Sequence, residues 1–207
     1  PEGVTNIGAH AFCHCTNLKS ITVPSTVTNI DCNAFYATPW FEAQKANKTF
    51  FILNNVLIDG SNAEGDITLP DGVTKIVDGA FENNGKITNV NFPDSVTVIG
   101  GTAFFECDKL THIVLPKKLT YLGHMSFAGC YKLVTLVIPK TVKYIGDMCL
   151  GETYYFKKVY YTGSKSDWEK IEIDPFQYRP FDDIISYNYD YSEPILAVRA
   201  PVFDPLN

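Results

Sequence analysis

The sequence predicts a solenoid in which coils of about 23 residues stack to form a parallel β-sheet. The first observation is a proline that returns at a fixed interval. Pro1, Pro24, Pro70, Pro93, Pro116 and Pro139 are separated by 23 residues, or in one case by 46. The second observation is that the same order of side chains follows each proline. Self-similarity at a period of about 20 to 50 residues is the sequence signature of stacked repeat units.

Each coil carries apolar and small residues at matching positions. Val or Leu stands three residues after the proline and Ile or Leu six residues after it, usually followed by Gly. A small residue with an aromatic comes next, then a single ladder position, then Leu-x-x-Ile-x-Val. In the coil beginning at Pro93 these positions are Val96, Ile99, Gly100, Ala103, Phe104, Cys107, Leu110, Ile113 and Leu115. The matching aromatics elsewhere are Phe12, Phe35, Phe81 and Phe127, and Cys149-Leu150 is a weaker copy of the small-aromatic pair.

The last positions of each coil predict a short β-strand. Residues 21–23, 113–115 and 136–138 alternate between two faces, as a strand does. The proline that follows cannot donate to a ladder and therefore ends the strand. One coil cannot bury its own apolar side chains, so stability arises from stacking neighbours about 4.8 Å apart. We expect the Phe row to contribute most to that core.

This pattern resembles the BspA-like subfamily of leucine-rich repeats, and it covers roughly residues 1–162. The Ile-Gly-x-x-Ala-Phe element, seen at Ile99 to Phe104, distinguishes the subfamily from ordinary leucine-rich repeats. The resemblance implies a leucine-rich-repeat solenoid, a right-handed curved coil stack with the parallel β-sheet on its concave face. It also implies a secreted or wall-attached bacterial surface protein that adheres to host matrix proteins or to other cells. No catalytic residue carries over, because the motif defines core positions only.

The double interval between Pro24 and Pro70 predicts an enlarged coil with an insertion over residues 36–69. Thr38-Pro39 favours the start of a short helix, with proline at its first position. Two apolar runs on either side of Asn54-Asn55 indicate a β-hairpin. The insertion could project a loop toward a partner, but we favour a structural variant of the coil.

The 23-residue pattern stops after Tyr161. Ser166 to Glu169 fits a helix capping box, so residues 163–173 are expected to form a C-terminal helical cap in which Trp168 and Ile171 cover the last coil. Residues 174–207 are rich in Tyr and Pro, among them Tyr178, Pro194, Pro201 and Pro205. The alternation of Tyr187, Tyr189 and Tyr191 suggests an extended strand. This tail either packs along the solenoid or begins a linker.

Composition and charge exclude several classes of partner. The net charge of −6 is the opposite of the dense basic face that nucleic acids require. No apolar run approaches the roughly 20 residues that span a bilayer, so we expect no membrane insertion. Because residues 1–23 already form a complete coil, we expect the chain to be part of a longer extracellular or cell-surface protein with its export signal upstream.

Cysteine and histidine supply little evidence for chemistry. His10, Cys13, His14 and Cys15 are close in sequence, but Cys15 occupies the inward ladder position and no second cluster completes a zinc site. Cys107 and Cys130 are expected to be free, buried thiols on adjacent coils. No nucleophile elbow, phosphate loop or carboxylate pair is present. We therefore expect no metal, no cofactor and no enzymatic activity.

The outward side chains of the strands are the candidates for partner binding. They change from small and polar at one end to apolar and aromatic at the other, and the exposed stripe predicted to contact a protein partner is His112, Val114, Val137, Lys158 and Tyr160. The alternatives are a glycan or cell-wall site, for which Tyr160, Tyr161 and the tail offer aromatic platforms, and a passive spacer within a larger surface protein. A row of Lys86, Lys109 and Lys132 could mark an anion-contacting edge, although a solvated edge is the favoured interpretation.

Overall fold

The computed structural model describes residues 3–174 and 184–191, and these form a parallel β-solenoid of about seven coils. The strands in chain order are β1 (Asn6–Ile7), β2 (Asn29–Ile30), β3 (Phe51–Leu53), β4 (Val56–Asp59), β5 (Gly65–Thr68), β6 (Lys75–Ile76), β7 (Ile87–Asn91), β8 (Val98–Ile99), β9 (His112–Val114), β10 (Tyr121–Leu122), β11 (Thr135–Ile138), β12 (Tyr144–Ile145), β13 (Lys158–Tyr161), β14 (Glu172–Ile173) and β15 (Ile185–Ser186). The helices are α1 (Pro39–Lys45) and α2 (Lys165–Trp168). We number the coils from one to seven as residues 3–23, 24–46, 47–69, 70–92, 93–115, 116–138 and 139–161.

The strands on the side predicted to be concave form two parallel sheets rather than one. β5 pairs with β7, and β9, β11, β13 and β15 form a four-stranded sheet in that order. The pairs are parallel, and Thr135 lies opposite His112 on one side and Lys158 on the other, one repeat away in each direction. The strand predicted at residues 21–23 is absent. Residues 21–23 would have to pair with a strand of the second coil, but the second coil has α1 and a turn at that place.

A second row of strands was not predicted. β6, β8, β10, β12 and β14 pair in parallel along another side of the solenoid, each only two residues long. Two residues are too few for alternation of apolar and polar side chains to be visible in the sequence. The sheet forms instead because the stacked coils bring equivalent backbone N–H and carbonyl groups of neighbouring coils within hydrogen-bonding distance.

The Phe row is buried, as predicted. The Phe104 ring stacks between those of Phe81 and Phe127, with centroids 4.8 and 5.0 Å away, and all three side chains are fully buried. The third coil has Ile58 instead of phenylalanine at the repeat position of this row. The place of a ring between Phe35 and Phe81 is filled by Trp40 from α1 and by the rings of Phe50 and Phe51 before and within β3.

The insertion is folded into the stack. Thr38 caps α1, its hydroxyl accepting from the backbone N–H of Phe41, as the sequence indicated. β3 and β4 form the predicted antiparallel hairpin, and Asn54 and Asn55 both adopt positive φ at its turn. The Asn54 amide donates to the carbonyls of Pro24 and Val27, both at 2.8 Å. These bonds hold the hairpin turn against the second coil, which favours the structural variant over a projecting loop.

The ladder position joins adjacent coils by side-chain hydrogen bonds. The thiols of Cys107 and Cys130 donate to the carbonyls of Phe81 and Phe104, each at 3.2 Å, and all six cysteines are free. Buried Asn84 makes the equivalent bonds to Gly60 and Ala63. Cys15 was expected to face inward too, but it is exposed. It lies on the first coil, whose outer side has no neighbour among the described residues.

The C-terminal cap forms two residues earlier than the sequence suggested. Ser164, not Ser166, is the N-cap of α2, and Asp167 completes the capping box. Trp168 and Ile171 are buried, as predicted. Both sheets continue past the end of the sequence pattern, since β14 pairs with β12 and β15 with β13. Tyr187, Tyr189 and Tyr191 are not a strand; the strand is Ile185–Ser186. Pro1, Tyr178, Pro194, Pro201 and Pro205 lie outside the described residues.

Candidate functional site

The outward side chains of β5, β7, β9, β11 and β13 form one continuous surface, which we call the strand face. Within each of the two sheets that contribute to it, β5 with β7 and β9 with β11 and β13, side chains in equivalent positions stand side by side because the strands are parallel and in register. Asp66, Thr68 and Asn91 are exposed at the end nearer the hairpin. Farther along, Val114 is a large apolar side chain that remains 38% exposed. A surface with an uncovered apolar side chain and polar surroundings has the composition of a protein-binding patch.

His112 is held in place by its neighbour in the next coil. Its Nδ1 lies 2.7 Å from the hydroxyl of Thr135, which stands directly opposite it in the ladder. The imidazole is half-buried, and this burial lowers its pKa from the usual value of 6.5. The ring is therefore neutral at pH 7. It can exchange one hydrogen bond with Thr135 and offer its other nitrogen to a partner.

Val137 does not belong to the exposed stripe predicted from the sequence. It points outward in the ladder between Val114 and Tyr160, yet it is fully buried. The physical reason is the C-terminal segment, which returns over this end of the strand face. Tyr189 packs on Tyr160 with ring centroids 4.7 Å apart. The backbone of this segment is tied to the last coil by the Tyr189 N–H, which donates to the Tyr161 carbonyl at 3.0 Å.

The C-terminal segment and the strand face enclose a shallow hollow of about 220 Å³. Val114 and Tyr191 line it, together with Asn91 and Lys117. The Lys117 ammonium lies 5.3 Å from the centroid of the Tyr191 ring, within the range of a cation–π contact. Burial raises the pKa of the Tyr191 phenol, and the nearby Asp94 carboxylate raises it further. Lys117 and Tyr191 were not among the residues predicted to contact a partner. The repeat pattern does not indicate where the non-repeating tail packs, so the contact between the two could not be predicted.

The five predicted residues thus have different surroundings. His112 and Val114 share an open part of the strand face, whereas Lys158 and Tyr160 are half-buried at the edge covered by the tail. Tyr161, one of the aromatics considered for a glycan site, is fully buried. Stacked tyrosines do occur elsewhere, since Tyr121 pairs with Tyr144 and Tyr131 with Tyr154, with centroids 4.8 and 6.0 Å apart. The two sequence positions of each pair are one repeat apart.

The cysteines and histidines do not converge on a reactive site. Within residues 3–174 and 184–191, no three His, Cys, Asp or Glu side chains are grouped so as to hold a metal ion. Burial raises the pKa of the Cys107 thiol to about 12 and that of Cys130 well above its usual value. Thiols in this state are poor nucleophiles at neutral pH. His124 instead pairs with Asp147, and Lys86, Lys109 and Lys132 are all exposed.

No helix in the part of the chain that the structure describes has the length and hydropathy needed to cross a bilayer.

Comparison with known proteins agrees with this architecture. The family model described as BspA type leucine rich repeat region matches residues 1–56 and 52–179, with six copies of the repeat. A leucine rich cell surface protein from Faecalibacterium prausnitzii A2-165 superposes with a TM-score of 0.51 at 24% identity, covering 84% of this chain and 62% of that one. A leucine-rich repeat protein from Eubacterium ventriosum ATCC 27560 gives a TM-score of 0.55 at 21% identity, covering 81% and 47%. At these identities the likeness shows the fold alone. This chain spans about three fifths of the first protein and just under half of the second. No curated protein matches the sequence.

Proposed function

This chain belongs to the BspA type leucine rich repeat family, and from that premise we propose that it is a non-catalytic module of a bacterial surface protein whose strand face binds an extracellular protein. Adhesion to a host matrix protein or to a neighbouring cell is the favoured role. The structure from Faecalibacterium that shares this fold is a leucine rich cell surface protein, and the proposal extends that location to this chain.

The observation that carries the proposal is the exposure of Val114 on β9, the edge strand of the four-stranded sheet and the strand nearest β7. The equivalent outward residues in the two preceding coils, Thr68 and Asn91, are polar, whereas Val114 is apolar and remains 38% exposed. His112 stands beside it, and the hollow next to Val114 could receive one side chain of a partner. Interfaces of this kind have an apolar centre, a polar rim and a pocket for an anchoring side chain.

The contact region we propose is centred on His112 and Val114 and extends to Lys117 and Tyr191. Lys158 and Tyr160 form its edge, next to the covering tail. Val137 is excluded because it is buried. The charge is nearly balanced here, since Lys117 and Asp94 both line the hollow, so the partner need not be highly charged.

The first experiment measures binding of the purified chain to immobilised matrix proteins, among them fibronectin, laminin and collagen. The test variant is His112→Ala with Val114→Ser, and the matched control is Tyr121→Ser, which removes a similarly exposed apolar side chain from the second sheet. We expect a protein that binds the native chain to bind the control equally and the double variant at least about tenfold more weakly, a loss of about 1.4 kcal/mol. Equal binding by all three proteins would exclude the strand face.

A second candidate function is glycan binding, and the stacked tyrosine pairs favour it. Tyr131 and Tyr154 are both exposed and their rings are nearly parallel, 4° apart. Aromatic faces with polar neighbours are suited to contact the apolar face of a sugar. A glycan array probed with the native chain and with Tyr154→Ala tests this. Glycan binding that Tyr154→Ala abolishes and the strand-face double variant retains would support this second function.

A further inference from the structure

The backbone ladder that joins the coils is interrupted at one place. In most coils, three alternate N–H groups of the Phe-bearing arc donate to three carbonyls of the next coil. His10, Phe12 and His14 donate in this way to Cys32, Ala34 and Tyr36. The same arrangement joins the fourth coil to the fifth, the fifth to the sixth and the sixth to the seventh.

The second coil has the same three donors but no partner for them. Among the described residues, the backbone N–H groups of Asn33, Phe35 and Ala37 have no hydrogen-bond acceptor. On the far side of the interruption, the carbonyls of Asp78 and Glu82 in the fourth coil receive no hydrogen bond from the described part of the chain. A row of donors in the second coil therefore faces a row of acceptors in the fourth, and the third coil between them makes one of these bonds only, from the Gly60 N–H to the Ala80 carbonyl.

The cause is a shortened arc in the third coil. Leu57 pairs with Ile76 and Gly65 with Ile87, so the third coil takes eight residues to cover a path for which the fourth takes eleven. Gly60 cuts across the missing part, and its N–H reaches only the Ala80 carbonyl, at 2.7 Å. A side chain at this position would overlap the Phe81 ring, which is why glycine stands here.

The missing arc leaves a groove of about 550 Å³ between the second and fourth coils. Asn33 and Phe35 lie on its donor wall, and Asp78 and Glu82 on its acceptor wall. Its volume is within the range of about 300 to 1,000 Å³ that is typical of ligand sites. The floor is already filled, because Trp40, Phe50 and Phe51 occupy the aromatic row beneath.

The two walls require a ligand that both accepts and donates hydrogen bonds at regular intervals. A peptide backbone does so, since each residue carries one carbonyl and one N–H group, as in the arcs of the neighbouring coils. An anion would satisfy only the donor wall, and it would be repelled by the carboxylates of Asp59, Asp78 and Glu82 that also line the groove. Among the described residues of the lining, Lys45 is the single cation, and it is already paired with Glu42 and Asp59. The excess negative charge favours a basic side chain on the ligand.

We propose that this groove binds a peptide segment that carries a lysine or arginine near its centre and follows the turn-rich path of the neighbouring arcs, in the place of the missing arc of the third coil. The segment would restore the interrupted ladder, taking hydrogen bonds from Asn33 and Phe35 and donating to Asp78 and Glu82. This site lies away from the strand face, and it does not depend on the partner proposed for that face.

The experiment uses a library of acetylated, amidated heptapeptides with lysine fixed at the centre and the other positions randomised. A matched library has glutamate at the centre, and inorganic phosphate is a third probe. Ser61→Trp places a bulky side chain in the groove, since Ser61 lines it and is exposed. Glu64→Trp is the control, because Glu64 is exposed three residues away and does not line the groove.

We expect lysine-centred peptides to bind the native chain and Glu64→Trp, and to bind Ser61→Trp at least about tenfold more weakly. Hydrogen exchange at the Asn33 and Phe35 amides should slow by a similar factor when peptide is bound. Glu82→Lys should also weaken binding, while Glu64→Lys should not, which provides a second test if Ser61→Trp does not fold. The proposal is overturned if no lysine-centred peptide binds at about 1 mM, if binding is equal in Ser61→Trp and Glu64→Trp, or if phosphate or glutamate-centred peptides protect these amides instead.

Discussion

The ring of Tyr189 packs against the ring of Tyr160 with centroids 4.7 Å apart and planes inclined by 43°. Tyr160 belongs to the last long strand of the repeat, whereas Tyr189 lies beyond the repeat pattern. One end of the strand face is thus covered by the chain itself, and the region open to a partner shifts toward Val114.

This contact predicts energetic coupling between the two tyrosines. In a double-mutant cycle with Tyr160→Ala and Tyr189→Ala, we expect a coupling energy of about 0.5–1.5 kcal/mol in the free energy of unfolding, the usual range for an aromatic pair. Urea denaturation measures it. The control cycle combines Tyr189→Ala with Tyr121→Ala, whose side chain lies on the second sheet, and should show no coupling. Additive effects of Tyr160→Ala and Tyr189→Ala would mean that the tail does not pack as described.

From the packing of the Phe row we predict that a substitution near the middle of the stack lowers the free energy of unfolding more than a substitution at its end. Phe104→Ala removes a fully buried ring that stacks on two others, and we expect it to lower the free energy of unfolding by about 3–5 kcal/mol. Phe12→Ala is the matched control. Phe12 is partly exposed and stacks on Phe35 alone among the described rings, so its loss should cost clearly less. A loss below about 1 kcal/mol for Phe104→Ala would contradict the packing of this row.

The thiols are predicted to differ sharply in reactivity. Cys15 is exposed, whereas Cys107, Cys130 and Cys149 are buried. Burial raises the pKa of Cys107 to about 12, so almost none of it is thiolate at pH 8. With a disulfide exchange reagent at that pH, we expect Cys15 to react first and the three buried thiols only after unfolding. The Cys15→Ser variant identifies the fast phase, and fast modification of Cys107 in the folded chain would contradict the structure.

The capping box predicts an acidic shift at Asp167. Hydrogen bonds from the Ser164 hydroxyl, then from Lys170 and from the Ser164 N–H, lower the pKa of its carboxyl from 3.8 to about 2. The folded state therefore holds the ionised form more strongly than the unfolded chain does. This stabilisation of α2 is fully present above about pH 4 and is lost as the pH falls from 3.8 toward 2.

Carbon-detected NMR titration of the Asp167 carboxyl measures this shift. We expect a midpoint near 2 in the native chain and a midpoint closer to 3.8 in Ser164→Ala. Lys170→Ala should give a smaller change, because the Ser164 hydrogen bond is the largest cause. A native midpoint at 3.8 would show that the capping box does not form in solution.

The repeat itself could be predicted from the sequence because each coil contacts chiefly its neighbours at a fixed separation. Phe81, Phe104 and Phe127 recur every 23 residues, which is one coil, so each occupies the same position in its coil and stacks on the ring of the next. The hairpin and the cap of α1 were also predictable, since Asn54-Asn55 and Thr38-Pro39 are local signals. The capping box at Ser164 was predicted two residues too late, because Ser166 offers the same local pattern and only the packing of α2 distinguishes them.

The sequence by itself determined the solenoid, the buried rows and the outward direction of Val114 and Val137, because alternation along a strand and repetition between coils act at short, constant separations. Only the tertiary structure decided that Val137 is covered and Val114 is not, and that Asn33 and Phe35 face a groove. Both outcomes depend on segments without a period, the C-terminal tail and the shortened third arc. Their positions follow from which surface offers the best packing, and a one-dimensional pattern does not contain that information.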